Sequence, residues 1–225
     1  MVMNAVYRGP QDCPLTIPLF PLAEALLLPR GEMPLNIFEP RYLAMVDDAL
    51  AGRRVIGVIQ PVNGAGDPAQ VPKLYSVGCL GRVTRFAETG DGRYLITLTG
   101  VARFRLVEEL PVTTPYRQAR VDYSPFLIDF TARAGEEEVD RAAVIRALEA
   151  FVTAKGLRVD WRGVRSASNE ALVNALSMMS PYGLREKQAL LEAPDLKTRA
   201  EMLVAITEIE LARGGGSGGS DPALQ

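Results

Sequence analysis

The sequence contains no histidine. Without an imidazole there is no Ser-His-Asp or Cys-His nucleophile pair, no HExxH zinc site and no histidine base near neutral pH. Cysteine is scarce: Cys13 and Cys79 stand far apart and form no CxxC, which excludes a four-ligand zinc site and disfavours a disulfide. Each reads as a small buried hydrophobe. Lysine occurs only at Lys73, Lys155, Lys187 and Lys197, in polar settings that keep an ammonium solvated, and none follows a glycine. That removes both the P-loop and a desolvated Ser-Lys base, and the glycines at Gly64, Gly66, Gly90 and Gly92 lie in loops of hairpin type. Long apolar runs are missing as well. The most apolar stretch, Leu15 to Leu28, is interrupted by Pro18, Pro21 and Glu24 and is shorter than the ~20 residues that span a bilayer. Met1 to Pro14 lacks the apolar core of a secretory signal, so the expected location is cytoplasmic, with no membrane segment.

What remains is an ordinary globular composition over 225 residues with a net charge of −2. Up to about Ser124 the pattern is mostly β. Proline-interrupted runs at Leu15 to Phe20, Leu26 to Leu28 and Leu35 to Phe38 fit edge or irregular strands, and Val55 to Ile59 reads as a buried strand. Gly78 to Phe86 and Arg93 to Thr99 flank Thr89-Gly90-Asp91-Gly92, a hairpin signal. Ala102 to Leu106 and Tyr116 to Tyr123 continue the pattern, so a small barrel or sandwich is expected. One helix interrupts it, starting at Glu39-Pro40, lined by Leu43, Val46 and Leu50 and ending at Gly52.

After Ser124 the period becomes helical. Glu136 to Glu138 suit a helix N-terminus, followed by an apolar stripe of Ala142, Ile145, Leu148 and Val152. Ser168 is placed to cap a helix carrying Leu172, Ala175, Leu176 and Met179; Leu184 to Glu192 forms another. Asp195 is placed to cap the last, with Leu196, Ala200, Leu203 and Ile206 on one face. These make a helical bundle. The chain therefore divides into a β unit at 1–124, a helical unit at 125–213 and a Gly/Ser tail at 214–225 expected to be disordered.

Chemistry-bearing pairs are few. Asp47-Asp48 and Glu108-Glu109 are adjacent, and adjacent side chains point apart, so neither pair suggests an acid/base couple. Arg82, Arg85, Arg93, Arg103, Arg105, Arg117 and Arg120 fall on strands, with Arg103 and Arg105 spaced to share an exposed face. Glu88, Asp91, Glu108 and Glu109 balance them, which favours a solvated sheet over a nucleic-acid footprint. Met33 to Tyr42 is dense in apolar residues, and Arg41 and Tyr42 are of the types that anchor interfaces.

Ile17-Pro18-Leu19-Phe20-Pro21-Leu22, Leu28-Pro29-Arg30-Gly31 and Pro34-Leu35-Asn36-Ile37-Phe38-Glu39-Pro40-Arg41-Tyr42 resemble the opening of the Lon protease N-terminal substrate-binding domain. Gly78 to Phe86, Asp91-Gly92-Arg93 and Gly100 to Phe104 look like its later strands, and Lys187 to Glu192 with Arg199 like its helical part. The resemblance runs from about residue 14 to 212. It implies an α+β fold: an N-terminal PUA-like β pseudo-barrel with one inserted helix, followed by a C-terminal α-helical bundle. It also implies a polypeptide or protein partner, with no cofactor and no metal. The family's ATPase and Ser-Lys peptidase modules have no counterpart here, so the expectation is a stand-alone, non-catalytic module that binds polypeptide in a groove between barrel and helices. Candidate contacts are Phe38, Glu39, Arg41, Tyr42, Phe86 and Arg103, with the loop from Pro61 to Pro72 as a flank. RNA binding through the arginine-bearing strands is the alternative, and a small-molecule enzyme using Cys79, carboxylates or tyrosines is a third reading.

Overall fold

The computed structural model describes residues 5–62 and 72–215. Six strands form one sheet: β1 (Thr16–Pro21), β2 (Glu32–Ile37), β3 (Val55–Pro61), β4 (Leu74–Glu88), β5 (Tyr94–Glu109) and β6 (Gln118–Asp122). Their order is β2-β5-β4-β3-β1-β6, and β6 also pairs with β5, so five strands close a ring and β2 is added outside it on β5. Helix α1 (Pro40–Ala51) follows β2, and α2 (Arg141–Lys155), α3 (Trp161–Ser166), α4 (Asn169–Met179), α5 (Leu184–Glu192) and α6 (Leu196–Gly215) follow the ring. The fold is α+β, as expected. Residues 63–71, most of the loop considered as a flank, and tail residues 216–225 lie outside the described residues.

Alternation makes the ring. Ile17 and Leu19, Val55 and Ile59, Ala102 and Phe104, Ala119 and Val121 are spaced by two or four, so all point inward and form one dry cluster. Phe104 fits because Gly78 lies opposite: a Cβ there would sit 2.5 Å from the ring and 2.6 Å from the Val58 carbonyl. The expected hairpin is present, with Gly90 and Gly92 both at positive φ in its turn. The two runs after it are one continuous strand, β5. Register shifts insert Val101 in β5 opposite Leu80/Gly81 and Thr84 in β4 between Val83 and Arg85, bending the pair around the ring.

β1 is internal to the ring rather than an edge. Thr16, Ile17 and Pro18 pair with β6, whereas Leu19, Phe20 and Pro21 pair with β3, so each half has a ladder on one side only. That stagger is why two prolines without N–H groups are tolerated. β2, carrying Pro34, is a true edge.

The outer face of the ring is covered by helices. α1 buries Tyr42, Met45, Val46 and Ala49, a face rotated from the expected Leu43–Val46–Leu50 stripe because Tyr42 turns inward onto Phe20, 4.4 Å between ring centroids. Leu172, Val173, Leu190, Leu191 and Leu203 from the bundle join the same apolar cluster as Phe20, Ile56, Val58 and Cys79. Ser168 and Asp195 act as expected, accepting from Ala171 N at 3.1 Å and Thr198 N at 2.7 Å. Glu136–Glu138 is instead a separate 3-10 turn, and α2 starts on Asp140, whose carboxylate accepts from Ala143 N at 2.9 Å. α4 also turns differently: polar Asn174 and Ser177 are buried, whereas Ala175 and Met179 face outward. Asn174 is held by the Pro29 carbonyl and by Arg199, bonds that a hydrophobic count along the helix does not register, whereas the Ser177 hydroxyl is buried with no hydrogen-bond partner among the described residues.

Candidate functional site

The six candidate contacts divide into exposed and buried groups. Phe38 is 60% exposed and Phe86 39%, and both lie at the open end of β2, β4 and β5. Phe86 meets Tyr94 edge-on at 5.0 Å, and the Arg93 guanidinium lies 5.9 Å from the Phe38 ring. Glu39 and Arg41 are also exposed and bond each other, Nη2 to Oε2 at 2.7 Å. Tyr42 is a correction: its ring belongs to the core, so it cannot present itself to a partner.

Arg103 is the larger correction. It is 1% exposed rather than on an open sheet face, because α5 and the turn after it lie over this part of β5. Its Nε and Nη2 donate to the Asp129 carboxylate at 2.9 and 2.8 Å, and Nη1 donates to the Leu191 and Ala193 carbonyls at 3.1 and 2.5 Å. The guanidinium also stacks 4.7 Å over Phe126. Arg199 lies nearby, donating to the Leu190 carbonyl at 2.9 Å and to Asn174 Oδ1 at 3.3 Å. Burial pulls its pKa down to about 10, which leaves it charged at neutral pH. These two arginines join ring and bundle. Of the arginines on or beside the strands, Arg117 pairs with Glu109 at 2.5 Å, Arg120 with Glu108 at 2.9 Å and Arg93 with Asp91 at 3.4 Å.

Beside this junction a cleft of about 700 Å³ opens between ring and bundle. One wall is the chain from Ala25 to Leu35, including the first four residues of β2; the other is the outer face of α4, with Ala171, Ala175, Met178 and Met179. Met179 is 82% exposed, an unusual position for a large apolar side chain. Across one end, Arg30 Nε donates to Glu170 Oε1 at 2.9 Å and Arg133 N to Glu170 Oε2 at 2.9 Å. Asn174 Nδ2 donates to the Pro29 carbonyl at 3.2 Å, fixing the floor. The expected location of a groove therefore exists, but none of the six candidates lines it. The missed signal was Met179, assigned inward by helical spacing and instead exposed beside Met178.

Cys79 is held protonated by burial, and burial pushes the Cys13 thiol up to about 12, so neither supplies a thiolate. Among the described residues no group of three or more His, Cys, Asp or Glu is placed to hold a metal ion, and no helix is long and apolar enough to cross a membrane.

Comparison with known proteins agrees with this architecture. The chain is 29% identical over 203 residues to Lon protease 2 of Sorangium cellulosum, covering 87% of this chain and 25% of that protein. It is 30% identical over 201 residues to the Lon protease of Parabacteroides distasonis, covering 87% and 24%. The chain thus spans about a quarter of the curated relatives it matches. In fold it is similar to a Lon N-terminal domain protein from Xanthomonas campestris, with TM-score 0.59, 23% identity and coverage of 84% of this chain and 97% of that one. The N-terminal domain of a Mycobacterium avium complex Lon protease gives TM-score 0.62 at 17% identity, covering 86% and 98%. The family model for the ATP-dependent protease La (LON) substrate-binding domain matches residues 16–208, and the chain belongs to that family.

Proposed function

We propose that this chain binds polypeptide segments, unfolded or belonging to partner proteins, in the cleft between the Ala25–Leu35 chain and α4. The observation that carries this reading is an apolar wall left open to solvent, Ala171, Ala175, Met178 and Met179, facing Leu26, Met33 and Leu35 across a space of about 700 Å³. Open apolar surface of this kind is the usual mark of an interaction site, and methionine adapts to varied side chains. Family membership supports a polypeptide ligand, since the matching domain is described as substrate-binding. The ion-paired strand arginines speak against RNA, because a paired guanidinium releases few counterions on meeting phosphate.

The test is photo-cross-linking of reduced, carboxymethylated casein to the full chain with a photoreactive residue at Met179. Cross-links are expected there and not at Glu149, which is exposed on α2. Ala175→Arg, at an exposed cleft position, is expected to weaken binding at least tenfold with an unchanged melting temperature. Phe38→Ala with Phe86→Ala tests the exposed aromatic patch in the same assay. Loss of binding there and not in Ala175→Arg moves the site to the patch; no binding by the folded chain overturns the reading.

A further inference from the structure

The cleft is bordered by a feature that apolar contact alone does not use. β2 pairs with β5 on one side, and among the described residues no strand lies along its other edge. Antiparallel ladders bond at every second residue. Gly100 N donates to the Gly31 carbonyl at 2.9 Å, and the register sets Met33 opposite Leu98 and Leu35 opposite Ile96. That phase turns the main-chain groups of Met33, Leu35 and Ile37 toward β5, together with the carbonyl of Gly31, whose own N–H donates to the Leu28 carbonyl, and turns those of Glu32, Pro34 and Asn36 toward the open edge. Pro34, which has no N–H, falls in the outward set, where a proline costs the sheet nothing.

We infer that a polypeptide enters this cleft in extended form and adds as a strand to the free edge of β2. This inference rests on the cleft being the polypeptide site. Within the cleft the edge offers the Glu32 N–H, the Glu32 carbonyl and the Pro34 carbonyl, and α4 stands opposite to receive alternate side chains of the added strand. Charge complementarity selects an uncharged segment. Arg30 is paired with Glu170, Arg133 with Glu136, and Glu32 with Arg85 at 3.8 Å, so among the described residues each charged side chain lining the cleft already has an ion-pair partner. A charged side chain entering it would lose hydration without gaining a partner. The occupant is therefore an unfolded segment with apolar or small residues at alternate positions.

The experiment measures binding to the full chain by fluorescence anisotropy. The probe is a dansyl-labelled octapeptide alternating leucine with serine, together with the set of its single N-methyl derivatives. N-methylation removes one main-chain donor at a time, so an added strand predicts about three- to tenfold losses at every second position and little effect between. On the protein side, Pro34→Ala restores an outward N–H and is expected to tighten binding by a similar factor, with the circular dichroism spectrum unchanged. Binding that is insensitive to N-methylation, or tighter for a helix-stapled version, overturns strand addition while the cleft reading stands. Absence of octapeptide binding also overturns it, and casein cross-linking at Met179 then decides the cleft reading separately.

Discussion

Arg103 shows how a single side chain ties the two halves of the molecule together. It is a β5 residue that reaches Asp129 and two carbonyls at the end of α5, with every contact out of water. Removing one member of a buried pair leaves an uncompensated charge, at a cost of about 3–5 kcal/mol. Arg103→Met is therefore expected to lower stability by about that amount. Arg103→Met combined with Asp129→Leu is expected to lose less than the sum of the two single variants, read from urea midpoints in a double-mutant cycle. Gly100 is a second critical position. A Cβ there would lie 2.0 Å from the Leu28 carbonyl, a main-chain atom that cannot swing aside. Gly100→Ala should cost at least about 1–3 kcal/mol and loosen the Leu28–Gly31 chain that walls the cleft, measurable as faster hydrogen exchange at Arg30, whose N–H bonds the Gly100 carbonyl. At this scale the sequence showed Arg103 and Arg105 on one face but not that a helix covers the first and leaves the second exposed. Alternation reports the face of a strand, and cover comes from residues some ninety positions away.

Among the elements, α6 depends on its first turn. The Thr198 backbone N–H donates to the Asp195 carboxylate, and this bond holds the carboxyl below the usual aspartate range. A depressed folded pKa contributes stability above the unfolded value of about 3.9, and that contribution fades as pH falls through the folded value. Asp195→Ala is expected to cost about 1 kcal/mol at pH 7. The gap between variant and parent should narrow below about pH 4, a trend that urea titrations at pH 7 and pH 3 resolve. Caps of this kind were legible, as were the hairpin turn and the buried strand β3, because each is specified within a few residues. Helix faces were less so. α1 and α4 are rotated from their apolar stripes since Tyr42 packs on Phe20, and Asn174 is satisfied by Pro29 and Arg199.

Across the whole molecule, the outer face of the ring and the inner faces of α1, α4, α5 and α6 share one apolar cluster. A division near residue 124 is therefore expected to be topological rather than thermodynamic. Urea unfolding followed by fluorescence of Trp161, the sole tryptophan, and by far-ultraviolet circular dichroism should give one coincident transition. Two separated transitions would mean that ring and bundle are stable alone. The cleft belongs to this scale too, since its walls are separated by more than a hundred residues of chain and meet only when the bundle docks.

By itself the sequence determined the α+β class, a β unit followed by helices, the turns and caps, and the family, because these are written in local spacing and in a contiguous motif. The tertiary structure alone decided which polar groups are buried, which methionines stay outside, that Tyr42 and Arg103 are internal, and that an open strand edge borders an apolar cleft. The physical reason is that burial and edge pairing depend on the surfaces that meet in space. Two walls far apart in the chain carry no signal of each other until Arg30, Glu170 and Asn174 join them.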